Sequence, residues 1–151
     1  MKFALGLAVL SLMVLALALS LMAAVAAGPT AVTYVPHDKV TATMTKGGAI
    51  IEDKGGLRVL AQCRGTGEVE VHLKTNHVFI IVEGEATFIT GGTLVGSKQT
   101  APDEVRAASV QGGQTHHLTK GDVITIPANT PHWFKEIPTG TIAYYAVNIQ
   151  N

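Results

Sequence analysis

The stretch GDVITIPANTPHWFKEI, residues 121–137, combines two short β-strand patterns with a turn between them. Val, Ile and Thr follow one another up to Ile126, and such residues favour a strand. The Pro-Ala-Asn sequence at 127–129 then interrupts the strand, because Pro and Asn favour turns. The stretch therefore predicts a strand, a turn and a second strand that begins close to His132.

A second stretch, EVEVHLKTNHVFIIVEG at residues 68–84, also predicts two strands joined by a turn. Successive side chains on a strand point to opposite faces. On the first strand the polar side chains share one face: Glu68, Glu70 and His72. On the return strand three residues share the inward face if the first of them points inward: His77, Phe79 and Ile81. The two strands together thus present carboxylates and imidazoles beside an apolar surface.

Short segments rich in Val, Ile, Thr and Phe recur from residue 49 onward, separated by Gly-containing turns. We predict strands at 49–52, 57–63, 68–74, 77–83, 85–90, 115–118, 122–126, 131–137 and 141–149. Strands this short and frequent, without a long helical pattern, indicate a β-sandwich or barrel. Residues 92–114 lack strong periodicity and are interpreted as a long connection, which is more often functional or partner-covering than idle.

The first 27 residues hold one Lys followed by an apolar run that ends in small Ala residues. This pattern predicts a secretory signal peptide at residues 1–27, cleaved near Ala26, and a periplasmic or secreted protein. About 20 apolar residues suffice to span a bilayer, so an uncleaved anchor is the alternative. Residues 28–56 are expected to form an extended segment and a short helix with Asp38 as its N-cap, ended by Gly at 47–48.

The full chain has a formal net charge of 0, and loss of Lys2 with the leader leaves one excess negative charge. No basic patch suggests nucleic acid binding, and no stable membrane association is expected after cleavage. Cys63 is the only cysteine, which excludes an intramolecular disulfide. Its position in the alternating run LRVLAQC predicts a buried, unreactive thiol.

The two polar stretches resemble the two motifs of the cupin superfamily, which are small β-barrels of the jelly-roll type. The second cupin motif reads Gly, five residues, Pro, one residue, Gly, two residues, His. Gly121, Pro127 and His132 hold these places, and Asn129 stands where the second Gly is usual. Asn tolerates a left-handed backbone, so this departure is small. The resemblance covers about residues 57–149 and implies an all-β, single-domain jelly-roll barrel over 57–151.

The first cupin motif is altered in this chain. The family pattern is His-x-His, four residues, then Glu, whereas this chain has Glu70, His72 and His77 at those places. The resemblance implies a metal site formed by Glu70, His72, His77 and His132. Three imidazoles and one carboxylate suit a divalent transition metal such as Mn, Fe, Ni or Zn. In the alternative interpretation the polar face of residues 68–72 is solvated and His77 is a turn residue.

We expect a pocket beside the site to include five further residues: Glu68, Phe79, Ile81, Phe134 and Tyr144. The adjacent pair His116-His117 is interpreted as a surface pair, since neighbours on a strand point to opposite faces. Trp133 is expected to point away from the site if His132 points into it.

Two classes of function follow from the resemblance. The first is a metal-dependent enzyme with dioxygenase, isomerase or lyase chemistry on a small oxygen-bearing molecule. The second is a non-catalytic module that binds a small molecule with or without metal. A homodimer is also expected, through an apolar outer surface formed by four residues: Val69, Val71, Leu73 and Trp133.

Overall fold

The computed structural model describes residues 29–150, which form one helix and thirteen strands. The helix α1 spans His37–Lys46. The strands are β1 Gly48–Glu52, β2 Leu57–Arg64, β3 Val69–His72, β4 Thr75–Glu83, β5 Ala86–Thr90, β6 Thr93–Val95, β7 Lys98–Ala101, β8 Glu104–Ala107, β9 Ser109–Gln111, β10 Gln114–Leu118, β11 Val123–Ile126, β12 His132–Glu136 and β13 Ile142–Gln150. This alternation of short strands and turns confirms the predicted all-β jelly-roll barrel.

The strands form two antiparallel sheets and a small ribbon. The first sheet has the order β1-β2-β13-β4-β11, the second has the order β10-β5-β12-β3-β8-β7, and β6 pairs with β9. Consecutive strands β3 and β4 therefore lie in different sheets, and so do β11 and β12. Both motifs predicted from sequence cross from one sheet to the other at their turns.

The predicted signal peptide at residues 1–27 and its cleavage site near Ala26 lie outside the described residues. Within residues 29–150, no helix combines the length and the apolar character needed to cross a membrane.

The short helix is present, but its N-cap is Pro36 and not Asp38. The amides of Lys39 and Val40 donate to the Pro36 carbonyl, so the first turn has already formed by Asp38. Asp38 lies within that turn, where its negative charge is favourable near the helix N-terminus. The helix contacts β1 and β2 and ends at Gly47, whose φ of 71° suits glycine.

Aromatic side chains fill the space between the two sheets. The rings of Phe79, Phe88, Phe134 and Tyr144 lie with centroids 4.6 to 6.1 Å apart in the contacting pairs. Each is at most 5% exposed, and burying such a side chain contributes about 1.5–3 kcal/mol. This core forms the floor under the polar end of the barrel.

Residues 92–114 are not the long irregular connection expected from sequence. They contain the four short strands β6 to β9, and β8 pairs along its whole length with β3. The strand KQTA is exposed along its whole length and EVRA is half-buried at three of its four positions, so neither shows the alternation that identifies a strand from sequence. The segment therefore completes the second sheet and lies directly beside the residues of the first motif.

The apolar outer surface expected from β3 is not exposed. Val69 is 0% and Val71 is 5% exposed, because other parts of the same chain cover this face. Trp133 is half-buried, and its indole Nε1 donates to the Gly67 carbonyl at 2.7 Å. These residues stabilise the monomer and do not offer the predicted docking surface.

The prediction for Cys63 is also wrong, since its side chain is exposed. Gln62 and Arg64 line the cavity described below. Cys63 lies between them on β2 and therefore faces the opposite side of the sheet. The predicted alternation of side chains along β2 is correct, but Cys63 lies on the outer face of the sheet and not on the face that was expected to be buried.

The turn between β11 and β12 belongs to the second motif and is hydrogen-bonded to the first. Asn129 has a φ of 64° and is the only described non-glycine residue with a positive φ, as expected for its place in the motif. The backbone N–H of Asn129 donates to the His72 carbonyl at 2.9 Å, and the backbone N–H of Ala128 donates to Asn76 Oδ1 at 3.0 Å. The turn that precedes His132 is thus fixed to the end of β3 and to the β3–β4 turn.

Candidate metal centre and its pocket

Strand pairing brings three histidines to one end of the barrel. His72 ends β3, His77 lies early in β4, and His132 begins β12. His132 is paired in register with Glu70 on β3. His77 comes from the facing sheet, so the three imidazoles meet between the sheets.

The three imidazoles are close enough to share one ion. Each offers a nitrogen atom, and these atoms lie within 4.8 Å of one another. His72 Nδ1 and His77 Nε2 are 2.7 Å apart, and the ring centroids of the three pairs are 4.7 to 5.5 Å apart. Transition metals hold histidine nitrogens at about 2.0–2.1 Å in the zinc case, and three ring nitrogens grouped this closely can approach one ion.

Hydrogen bonds fix which nitrogen of two rings carries the proton. His132 Nδ1 lies 3.0 Å from the Thr130 carbonyl oxygen, which only accepts, so the proton is on Nδ1. His77 Nδ1 lies 2.8 Å from Asn148 Oδ1, another acceptor. In both rings the remaining nitrogen, Nε2, carries a lone pair on the side of the cluster. The lone pair of His77 accepts from His72 Nδ1 at 2.7 Å, whereas that of His132 has no hydrogen-bond partner among the described residues. Such partners on the far nitrogen are typical of metal-binding histidines.

Burial keeps two of the rings neutral. The His132 side chain is 3% exposed, and burial lowers its pKa to about 4. Burial also lowers the pKa of His77, although the bond to Asn148 opposes this shift. A metal ligand must be deprotonated, so a lowered pKa favours metal binding at neutral pH.

The buried Nε2 atom of His132 has no hydrogen-bond partner among the described residues. Leaving a buried polar atom unsatisfied costs about 1–3 kcal/mol, so such an atom requires an explanation. A divalent transition metal bound to this lone pair would remove that cost. The donor set of three imidazoles, with the orphaned nitrogen among them, fits such an ion.

The second ring nitrogen of His72, Nε2, lies near strand β8. His72 Nε2 is 3.6 Å from Glu104 Oε2 on β8. Without a metal, His72 Nδ1 carries the proton and donates to His77 Nε2. A shift of this proton to Nε2, which faces the carboxylate, would leave the Nδ1 lone pair available to an ion. Glu104 can therefore stabilise the tautomer of His72 that leaves a lone pair for the cluster.

Glu70 lies beside the histidines but is paired with two arginines. Its Oε1 accepts from Arg64 Nη1 and from Arg106 Nη1, both at 2.7 Å. Its Oε2 is 3.8 Å from His132 Nε2. Burial raises the pKa of Glu70, but Arg64 and the other nearby positive groups outweigh this effect and the net shift is downward. Glu70 is thus an ionised carboxylate with one oxygen facing the cluster.

A cavity of about 240 Å³ opens above the histidines. Its polar lining comes from both sheets: Arg58, Gln62, Arg64, Glu70, His72, His77, Arg106, Tyr144 and Asn148. Its apolar lining is smaller: Leu60, Phe79 and Ala146. The cavity is therefore a mainly polar site with one apolar wall.

The pocket prediction needs three corrections. Glu68 lies outside the cavity, is exposed and pairs with Lys98 at 3.1 Å, because β3 begins only at the next residue. Ile81 and Phe134 point inward but belong to the buried core. Alternation on a strand identifies the face of a residue, whereas depth along the barrel decides whether it reaches the cavity. Phe79 and Tyr144 line it as expected.

Histidines outside the cluster have ordinary surroundings. His116 contacts Thr90 Oγ1 at 2.9 Å, and the exposed His117 is 3.8 Å from Glu85. His37 is exposed on α1, where its Nε2 lies 3.3 Å from Thr41 Oγ1. None of them reaches the cavity.

Sequence reasoning missed four residues that organise the site: Arg64, Glu104, Arg106 and Asn148. The alternation on β2 would have identified Arg64, since it continues the face of three other lining residues: Arg58, Leu60 and Gln62. Arg106 could not be found in this way, because it is placed by its register opposite Glu70 in the β3–β8 pair. Asn148 is similarly placed by its register opposite His77.

The family model for cupins, described as "Cupin", matches residues 55–151. The chain belongs to the cupin family. This match covers every strand of the two sheets except β1, and it includes all three clustered histidines of the cupin barrel. No curated protein matches the chain.

Solved structures similar to this cupin share its fold at low sequence identity. A protein from Bacillus halodurans is 12% identical with a TM-score of 0.55, and the alignment covers 83% of this chain and 86% of that one. HppE, in a structure of its Fe(II) form with the alternative substrate (S)-1-HPP, is 17% identical with a TM-score of 0.51. That alignment covers 68% of this cupin and 48% of HppE, so the chain spans about half of that protein. A cupin-like protein from Thermotoga maritima is 17% identical with a TM-score of 0.47, covering 69% of this chain and 67% of the other.

Proposed function

We propose that this cupin binds one divalent transition metal, such as Mn, Fe, Ni or Zn, through His72, His77 and His132. We further propose that it acts on a small oxygen-bearing molecule in the cavity, by dioxygenase, isomerase or lyase chemistry. Glu70 is the candidate fourth ligand, through Oε2.

The observation that carries the proposal is the orphaned Nε2 of His132. It is buried, its ring is neutral at pH 7, and its lone pair faces two further imidazoles. A stable fold that retains an unpaired buried nitrogen at this place loses free energy unless something binds there. A metal ion is the partner whose chemistry matches three imidazoles.

When bound, the ion would supply Lewis acidity and open coordination positions. The chain's own residues would hold the ligand nearby. Tyr144 has its pKa raised to about 12 by burial, so its hydroxyl remains a hydrogen-bond donor at neutral pH. Asn148 orients His77, and the apolar wall formed by Leu60, Phe79 and Ala146 excludes water from one side.

Metal analysis of untagged protein tests the metal site directly. We expect about one equivalent of transition metal per chain in the wild type and a strong loss in His72→Ala, His77→Ala and His132→Ala. His116→Ala and His117→Ala are matched controls that remove an imidazole outside the cluster. The proposal fails if wild type, after incubation with each of the four metals, holds none in stoichiometric amount while circular dichroism shows it folded.

A non-catalytic binding module is the second candidate function. Apart from the clustered histidines, which are the proposed metal ligands, the lining side chains offer no effective general base: the pKa of Glu70 is lowered, so it is a weak base, and Tyr144 stays protonated. Ligand binding without turnover by the metal-loaded protein would favour this candidate. Turnover that is lost in His132→Ala would favour the enzyme.

We also propose export, with residues 1–27 as a cleaved signal peptide, and a homodimer that forms through a surface other than the buried face of Val69 and Val71. The N-terminal composition supports the first point. Mass spectrometry of protein from the periplasm or medium should give an N-terminus near Ala26. The full-length mass in the membrane fraction would instead indicate an uncleaved anchor. Light scattering at micromolar concentration tests the dimer, and a monomer only would refute it.

A further inference from the structure

Two arginine side chains at the cavity share one carboxylate oxygen of Glu70. Arg64 and Arg106 approach Glu70 from two different sheets, and both donate to Oε1 at 2.7 Å. Arg106 also donates from Nε to Glu104 Oε1 at 2.6 Å. Both guanidinium groups line the cavity and are about one-quarter exposed, with 29% for Arg64 and 26% for Arg106.

We propose that the cavity takes a small organic oxyanion, a carboxylate or a phosphate ester, held by Arg106 and Arg64 beside the three histidines. This inference rests on the proposed metal site and names the substrate class for it.

Charge balance supports an anion. The two arginines are cancelled by the two carboxylates, Glu70 and Glu104, with which they are paired. The three imidazoles bring no negative charge, so the charge of a divalent ion among them is not neutralised by the protein. A bound cation is then the largest local charge, and it favours a negative ligand over a neutral one.

Donor geometry supports an oxyanion in particular. A guanidinium has five N–H donors in a planar fork that matches carboxylate and phosphate groups. Arg106 uses Nε and Nη1, and among residues 29–150 its Nη2 has no hydrogen-bond partner. This donor group belongs to a side chain that lines the cavity. An oxygen of the ligand can therefore accept from Arg106 without breaking the bond to Glu70.

The volume of the cavity and the apolar part of its lining support a small organic ligand. A volume of about 240 Å³ is below the usual range for drug-sized ligands, which is about 300–1,000 Å³. Leu60, Ala146 and Phe79 lie side by side on the first sheet and form an apolar part of the lining. A short carbon skeleton fits against this surface while its anionic group faces the guanidinium groups.

A pair of nearly isosteric probes tests the inference without any variant. Glycolate and glycolamide have the same number of heavy atoms and differ in charge, and methyl phosphate is a small phosphate ester without a carboxylate. By calorimetry with metal-loaded wild type, we expect glycolate or methyl phosphate to bind about tenfold or more tightly than glycolamide, since a hydrogen bond between charged groups is stronger than a neutral one. The tighter of the two anions identifies the carboxylate or the phosphate ester as the natural group.

Variants then assign the preference to the arginines. Arg106→Gln should lose most of the preference for the anion, and Arg106→Lys should keep part of it. Lys98→Gln removes a paired cation outside the cavity and should keep the whole preference. Metal content is measured on each variant. Equal binding of anion and amide by metal-loaded wild type, or full preference in metal-loaded Arg106→Gln, would overturn this inference alone. Absence of metal from the wild type would instead overturn the proposed function.

Discussion

Two hydrogen-bond acceptors determine which ring nitrogens of His77 and His132 have a lone pair facing the cluster. Asn148 Oδ1 accepts from His77 Nδ1, and the Thr130 carbonyl accepts from His132 Nδ1. Without these acceptors the proton could move to Nε2 and remove the lone pair from the cluster. The residues that hold the histidines therefore matter for metal affinity as well as the histidines themselves.

Replacing Asn148 by Ala should weaken metal binding by about 10- to 100-fold, because His77 loses the acceptor that fixes its tautomer. Competition with a chelator of known affinity measures this change. Asn148→Asp retains an acceptor and should retain affinity. Gln150→Ala removes an exposed amide from the same strand and should change nothing. Equal affinity of wild type and Asn148→Ala would refute this role.

The stability of the metal-free protein should fall in acid because His132 is buried in its neutral form. Its pKa is about 4 in the folded state and about 6.5 in an unfolded chain. Between these values only the unfolded state binds the proton, so stability is fully present above pH 6.5 and is lost as the pH falls toward 4. The loss is about 3 kcal/mol over this range.

Denaturant unfolding at pH 7 and pH 4.5 measures this loss. His132→Asn keeps a donor for the Thr130 carbonyl but does not titrate, so its stability should change by about 2–3 kcal/mol less than that of wild type between the two pH values. His117→Asn removes an exposed imidazole and should behave as wild type. The same pH dependence in wild type and His132→Asn would contradict the burial argument.

At the scale of elements, the turn between β11 and β12 holds the two halves of the site together. It is fixed to the end of β3 by the hydrogen bond from Asn129 to His72. It also leads directly into β12, on which His132 lies. One left-handed residue therefore sets the path of the chain from β11 into β12 and places it against the end of the first motif.

Asn129→Ala should lower the free energy of unfolding by about 1–2 kcal/mol, because alanine is unfavourable in the left-handed region. Asn129→Gly restores the usual residue of the motif and should have nearly wild-type stability. Thermal or denaturant unfolding of the three proteins measures the difference. Equal destabilisation by Gly and Ala would show that the side chain of Asn129, and not its φ, is what stabilises the turn.

Strand β8 shows how an element without a clear pattern can supply charged groups to a site. Its Arg106 and Glu104 are paired in register with Glu70 and His72 on β3. Nothing in the local sequence EVRA distinguishes a strand of the barrel from a polar loop. The pairing with β3 gives these two side chains their partners.

For the whole molecule, metal binding should raise thermal stability. A ligand present at 100 times its Kd stabilises the folded state by about 2.7 kcal/mol, provided that it does not bind the unfolded chain. For a domain of this size that corresponds to a rise in Tm on the order of 10 °C. Calorimetry with and without metal measures the rise.

The increase in Tm should depend on the cluster. His72→Ala should lose it, whereas His117→Ala should retain it. A similar rise in both variants would show that the metal binds elsewhere on the protein.

The hydrophobic alternation and the turn residues determined the barrel, because strand and turn preferences are local properties of the chain. The spacing around His72, His77 and His132 likewise predicted that three imidazoles would meet. The tertiary structure alone decided their electrostatic surroundings. Glu70 and Arg106 are 36 residues apart and His77 and Asn148 are 71 apart, so only strand pairing between distant segments brings these partners together.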